Sequence, residues 1–242
     1  MSVSKLAIAW TEQALLPDRL VRAGIRRLLK QRLAEIRAGD AAQAAERLEA
    51  FLDGMLRSPI ALLPQMANDQ HYEVPADFYS WVLGSHRKYS SGYFAGSDAT
   101  LDDAEAAALR STCERAGLRD GMHILELGCG WGSLTLWMAA HYPASRITAV
   151  SNSNSQREYI VAEAARRGLT NVTVETRDMN DFDIDARFDR VVSVEMFEHM
   201  RNWRALFARL HGWLVPVLDD VAAFIRSDPA QPLLEHAARK IE

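Results

Sequence analysis

The sequence predicts an α/β protein built on a mainly parallel sheet, preceded by a helical N-terminal segment. Three observations carry this. Short apolar runs alternate with helical patterns from residue 122 to residue 213. The first of these runs ends in a glycine corner, Gly128, Gly130 and Gly132. The residues before 67 hold long amphipathic patterns with no alternating strand signal. Strands alternating with helices imply parallel pairing with helices on both faces. A chain of 242 residues accommodates one such domain and an added segment.

Residues 17–38 predict a basic amphipathic helix. Val21, Ile25, Leu28, Leu29 and Ile36 form one stripe, with Arg22, Arg26, Arg27, Lys30, Arg32 and Arg37 around it. Gly39 ends it and Asp40 caps the next helix, which runs to about Leu56 and is expected to bury Leu48, Phe51, Leu52 and Met55. The basic face suits contact with an anionic membrane or partner; a solvated face on a helix packed against the domain is the commoner arrangement. Residues 58–74 read as irregular. Pro75 opens a helix that ends near Gly84. Lys88 to Phe94 is a small-residue loop between aromatics, and Thr100 with Asp103 predicts a capping box for an Ala-rich helix to about Ala116. From there the order is strand 122–127, helix 133–141, strand 146–151, helix 155–167, strand 172–176, strand 189–194 and helix 202–213.

In such sheets, ligands bind beyond the carboxyl ends of the strands. The first end reads E-x-G-x-G-x-G from Glu126, where glycines let a ligand approach the backbone. This is not the G-x-G-x-x-G of dinucleotide binders, and a carboxylate before the turn suits a cationic ligand better than a pyrophosphate. The pattern points to S-adenosyl-L-methionine, with a plain tight turn or another nucleotide as the alternatives. The second end, Ser151, Asn152 and Ser153 with Gln156 beyond, can bond a ribose but lacks the acidic residue of NAD-binding folds. Ser153 or Asn154 also serves as a helix cap. The third end offers Asp178 for an adenine amino group and Met179 as a polarisable surface, or is an ordinary solvated loop. The fourth holds Glu195, Glu198 and His199, which share one face if the turn is helical. Two carboxylates beside an imidazole suit acid–base work on an amine or a carbocation-like centre; a charged helix start is the plainer alternative. No second histidine stands at a metal-ligand spacing, so no metal is expected.

A formal net charge of -4 gives no support for nucleic-acid binding. Two cysteines, Cys113 and Cys129, are too few for a disulfide framework; they read as small buried side chains in a reducing cytoplasm. The N-terminus lacks the apolar core of a signal peptide, and no apolar stretch is long enough to span a bilayer.

With these residues placed, the chain resembles the cyclopropane-fatty-acid synthase superfamily of S-adenosylmethionine-dependent methyltransferases, and within it the coclaurine N-methyltransferase-like branch. The marks are the runs Asn68 to Pro75, Lys88 to Phe94, the glycine motif, Val150 to Gln156 and Val194 to Met200. The resemblance implies a Rossmann-like methyltransferase fold over 67–213, a helical segment over 1–66 and an atypical helical tail over 214–242. It implies that Tyr89, Ser90 and Ser91 close over the methionine part of the cofactor, and that Gly128 and Gly130 give backbone approach near Glu126. It places Asn152 and Gln156 at the ribose with Ser151 adjacent, Asp178 and Met179 at the adenine, and Val194 beside the cofactor. Glu195, Glu198 and His199 match the catalytic cluster of the N-methyltransferase branch. Cyclopropane synthases usually carry cysteine where this chain has Ser91 and glycine where it has Glu195. Both departures favour amine methylation over lipid cyclopropanation.

The family continues past the fourth strand with a fifth. Here residues 214–220 lead into two helical-looking stretches, so a truncated sheet is expected. Its open edge would then need a helix or another chain, as in a homo-oligomer, to cover it. The functional expectation is methyl transfer to a small amine. Methylene transfer to an unsaturated lipid, and cofactor binding without turnover, are the alternatives.

Overall fold

The computed structural model describes residues 3–36, 41–62 and 76–215. The chain divides into two compact units, Met1–Gly54 and Met55–Glu242.

The first unit holds α1 (Val3–Glu12), α2 (Asp18–Ile36) and most of α3 (Ala41–Leu56). Neither α2 nor α3 has a buried residue. The burial expected along α3 is corrected: Leu48 is 45% and Phe51 50% exposed, while Leu52 and Met55 are only half-buried. Helical periodicity marks an apolar face but does not supply a surface to cover it. Arg47 donates to the Glu35 carbonyl at 2.7 Å, tying α3 back to the end of α2. The stop at Gly39 and the cap at Asp40 lie outside the described residues.

The second unit contains α4 (Ala76–Val82), α5 (Leu101–Arg115), β1 (His123–Leu127), α6 (Ser133–His141), β2 (Arg146–Ser151), α7 (Asn154–Arg166), β3 (Val172–Thr176), β4 (Arg190–Ser193), a 3₁₀ turn (Phe197–His199) and α8 (Trp203–Trp213). Pro75 and the run from Asn68 lie outside the described residues. The strands lie in the order β3-β2-β1-β4 and all pairs are parallel. Their alternation sorts the core. Leu125, Leu127, Val150 and Val191 face one side, with Phe182, Phe188, Leu206, Leu210 and Trp213. Ile124, Ile147 and Val192 face the other, with Leu109, Cys113, Trp137 and Met138.

Caps fix the helix starts as the sequence predicts. Thr100 and Asp103 form the reciprocal box at α5. Ser153 rather than Asn154 caps α7, and Asn202 accepts from Ala205 N at 3.0 Å to start α8. Beyond β4 the expectation of a bare edge needs one amendment. Leu214 forms a parallel bridge with Phe188, and Val215 N donates to Phe188 O at 2.9 Å. That single rung sits beside the entry to β4; the rest of the tail lies outside the described residues.

Candidate active site at the strand ends

One cavity of about 690 Å³ lies at the carboxyl ends of the strands. Its volume falls within the range of small-molecule sites, roughly 300–1,000 Å³. It brings together Tyr89, Ser90, Glu126, Gly128, Gly130, Ser151, Asn152, Gln156, Asp178, Met179, Val194, Glu195, Glu198 and His199. They come from the strand ends and the turns just beyond them, from the first turn of α7 (Gln156) and from the strap between α4 and α5. Ser91 is the exception among the expected residues: it stands exposed on the strap just past Ser90 and is not part of the wall.

The glycine corner works differently at its two forward glycines. At Gly128 (φ +77°) an added Cβ would come within 2.6 Å of Met196 Cβ. This glycine lets the turn after β4 close onto the corner, so its empty side is filled by the protein. At Gly130 (φ +52°) nothing lies within 4 Å of an added Cβ. Gly130 is therefore where a ligand can come against bare backbone.

Glu126 pairs with Ala149 on one side and Val192 on the other, at the centre of the sheet. Thr135 donates to its carboxylate at 2.5 Å. Burial pushes its carboxyl up to about 7, against the pull of the Thr135 hydroxyl. Among the described residues no basic side chain offsets that desolvation. A cationic group entering from the cavity is the natural complement.

Ser151 donates to Gln156 Oε1 at 2.6 Å and fixes that side chain. Gln156 Nε2 is buried with no hydrogen-bond partner, and so are Trp131 Nε1 and Ser133 Oγ beside it. All three residues line the cavity. Buried donors without acceptors are uncommon, and a ligand bearing hydroxyl or carboxylate oxygens would satisfy them. Trp131 lies within the glycine run and Ser133 opens the helix after it, but neither carries a sequence signal for this role.

Asp178 and Met179 are held from behind. Arg209 donates to the carbonyls of Met179 and Asn180, both at 2.8 Å, and of Phe182 at 3.1 Å. Asn180 pairs with both backbone groups of Ala61, at 2.9 and 3.0 Å. Met200 forms an antiparallel bridge to the same Ala61. One short segment thus stitches the loop after β3 to the turn after β4.

That turn carries the acidic pair and the imidazole. Glu195 adopts a left-handed backbone (φ +54°), a conformation that favours glycine. Phe197–His199 then form the 3₁₀ turn, where α-helical geometry was one expectation. Trp203 Nε1 donates to Phe197 O at 3.1 Å and Met200 O at 3.0 Å, clamping the turn. Glu195, Glu198 and His199 are all solvent-exposed on the cavity wall. A strained residue held among acid–base groups is a recognised mark of a functional site.

Lys88 is a wall residue with no sequence signal beyond its place next to Tyr89. It is buried, and its ammonium reaches Ser90 Oγ at 2.7 Å. Burial pushes it below the ordinary lysine range, while Glu195 and Glu105 pull it back up. Cys129 also lines the cavity as a buried free thiol, and burial holds it well above the ordinary range, which suits packing rather than reactivity. Among the described residues no group of His, Cys, Asp or Glu is placed to hold a metal ion.

A parallel sheet with its cavity at the strand ends, entered by a glycine corner and an acidic β1, defines the class of Rossmann-like methyltransferases. The family model for mycolic acid cyclopropane synthetase matches residues 64–216, and the chain belongs to that family. It is 39% identical over 203 residues to (S)-coclaurine N-methyltransferase of Thalictrum flavum subsp. glaucum, covering 84% of this chain and 56% of that protein. It is 36% identical over 141 residues to cyclopropane-fatty-acyl-phospholipid synthase of Escherichia coli (strain K12), covering 57% of this chain and 35% of that one. A crystal structure of coclaurine N-methyltransferase bound to N-methylheliamine and SAH superposes with a TM-score of 0.78 at 35% identity, covering 88% of this chain and 62% of that chain. The cyclopropane synthase MmaA2 from Mycobacterium tuberculosis superposes at 0.56 with 29% identity, covering 63% and 54%. The chain spans about half the length of the curated relatives it matches.

Proposed function

We propose that this chain is an S-adenosylmethionine-dependent methyltransferase that methylates the nitrogen of a small amine. One observation carries the reading: the glycine corner, the Gln156 side chain with its unsatisfied Nε2 and the Glu195–Glu198–His199 turn line a single cavity. The cavity's chemistry fits the cofactor. Gln156 and Asn152 hold the ribose hydroxyls, Asp178 and Met179 frame the adenine, and Gly130 gives backbone approach. Tyr89 and Ser90 close over the methionine end, and Glu126 supplies negative charge below it. Ser91 has no part in that wall. When bound, the cofactor supplies an electrophilic methyl group on a cationic sulfur.

The acceptor nitrogen needs a free lone pair, so an ammonium must first lose a proton. His199 takes that proton on its ring nitrogen. Glu198 orients the amine and stabilises the positive charge that grows on nitrogen, and Glu195 adds to the same field. The wall supplies alignment, which is worth several kcal/mol when the reacting atoms are held in line, roughly 7–11 at best. Relatives named as N-methyltransferases of coclaurine, tetrahydroprotoberberine and pavine support an amine acceptor.

Incubation with methyl-labelled cofactor and either a panel of amines or vesicles of unsaturated phospholipid tests this. Label on an amine is the expected result. Label on lipid alone would replace amine transfer by methylene transfer. Cofactor binding without product on either would leave a binding protein without turnover.

The two buried free thiols suit a reducing cytoplasm. No helix among the described residues is long and apolar enough to cross a membrane. The six basic residues of α2, beside exposed Ile25, Leu28, Leu29 and Leu33, suit that helix to an anionic surface. The sheet edge at β4 is the candidate contact for a second copy of the chain.

A further inference from the structure

The strap that carries Lys88, Tyr89 and Ser90 is held by two carboxylates of α5. Glu105 is fully buried at 0% exposure, and its hydrogen bonds among the described residues come from backbone N–H groups. Its Oε1 accepts from Gly84 N at 3.0 Å and Lys88 N at 3.2 Å, and its Oε2 accepts from His86 N at 2.9 Å. Asp102, one turn earlier, accepts from Ser85 N at 2.6 Å. Four N–H groups within a five-residue stretch thus converge on one face of α5. Further along, Tyr93 N donates to Ala104 O at 2.9 Å, and a Cβ on Gly92 would approach Ala104 Cβ to 3.0 Å. Gly84 is itself required, since an added Cβ would lie 2.5 Å from Asp102 Oδ1 and 2.7 Å from Glu105 Oε2.

A buried carboxylate is costly to desolvate, and an apolar side chain would serve the core equally well. What an apolar residue cannot do is gather three backbone N–H groups. Glutamine cannot do so either: it offers one acceptor oxygen, and its amide N–H₂ would face an N–H of the strap. The same segment is fixed from its other side by rings. Tyr79 packs on Trp131 at 5.3 Å and on Tyr89 at 6.0 Å, and the Arg87 guanidinium sits 4.3 Å over Tyr159. The rings set the strap's height over the glycine corner, and the carboxylates set its register along α5.

We infer that Glu105, assisted by Asp102, is a positioning residue that fixes the register of the strap and so sets the grip of Tyr89 and Ser90 on the amino-acid end of the cofactor. The inference rests on the reading of the cavity as a cofactor site. It assigns the strap to one part of the ligand, so its loss must be felt there and not at the nucleoside.

The test compares two probes on the full chain by calorimetry: S-adenosylhomocysteine, and 5′-methylthioadenosine, which lacks the amino-acid end. Glu105→Gln is expected to weaken S-adenosylhomocysteine about tenfold, the loss of roughly one charge-assisted hydrogen bond. Affinity for methylthioadenosine should stay at the wild-type value. Amides of residues 84–88 should exchange faster with solvent while those of β1 and β2 do not change. The exposed α5 change Glu114→Gln serves as control and should match wild type. If Glu105→Gln does not fold, Asp102→Ala decides the matter, with a smaller loss confined to the same probe. Equal weakening of both probes, or an unchanged S-adenosylhomocysteine affinity, overturns the inference. Failure of the wild-type chain to bind either probe overturns the cofactor reading instead, and the two failures are told apart by that control.

Discussion

At the scale of single residues, Glu126 is under two opposed demands. Burial at the sheet centre disfavours its charge, while the cofactor reading needs that charge. Its carboxyl is raised from 4.5 to about 7, so the folded chain holds a proton there that the unfolded chain releases. Stability from this group is greatest below about 4.5, falls as pH rises through the interval to about 7, and is flat above it. The shift corresponds to about 3 kcal/mol. Glu126→Gln keeps an acceptor for Thr135 and removes the charge, so urea unfolding of the ligand-free variant should show a gain of that order at pH 8 and little at pH 5. A variant no more stable than wild type at pH 8 would contradict the account. The same variant should bind the cationic cofactor more weakly. For catalysis, Glu198→Ala should lower turnover at least a hundredfold and leave S-adenosylhomocysteine affinity unchanged, measured by label transfer and calorimetry. A selective loss of affinity would make Glu198 a cofactor ligand. Glu126 is legible in the sequence because its motif is local. The same motif marks Gly128, which lines the cavity, but not that Met196, distant in sequence, packs where its side chain would be. Lys88 and Glu105 went unread because their roles depend on tertiary neighbours that no short spacing announces.

Elements were more legible than their surroundings. Strands 146–151 and 172–176 and helix 133–141 match their predicted limits, since apolar runs bounded by glycine and caps are written locally. Leu48 and Phe51 show the limit of such reading: the helix formed and the expected burial did not. The loop after β3 is another case. Asp178 and Met179 were named from their strand end, but what steadies them is Arg209 on α8. Arg209→Met removes its bonds to three carbonyls. It should cost about 2–3 kcal/mol in urea unfolding and speed amide exchange in 178–182. Wild-type stability with unchanged exchange would show that the loop holds itself. The left-handed Glu195 belongs here too. Glu195→Gly should relax the backbone by about 1 kcal/mol while removing one carboxylate from the wall, so unfolding midpoint and turnover should move in opposite directions.

At the scale of the whole molecule, the two units pose separate questions. The α2 row, apolar and basic together, should bring the chain down with vesicles rich in anionic phospholipid at low salt and release it near 0.5 M salt, where screening is short-ranged. No sedimentation at low salt would leave the solvated-face reading. The fold class was legible from strand–helix alternation. The edge of the sheet was less so, because the Leu214–Phe188 rung is one residue long and carries no periodicity. On the proposed function, the cavity at the strand ends receives the sulfonium cofactor. Titration of the folded 242-residue chain with S-adenosylmethionine and S-adenosylhomocysteine measures it directly. Saturable one-to-one binding of both, weakened by Gln156→Ala and tightened for the sulfonium form as pH rises through about 7 with Glu126 ionisation, is the predicted result. Absence of measurable heat from either ligand, on protein whose unfolding is cooperative, would contradict it.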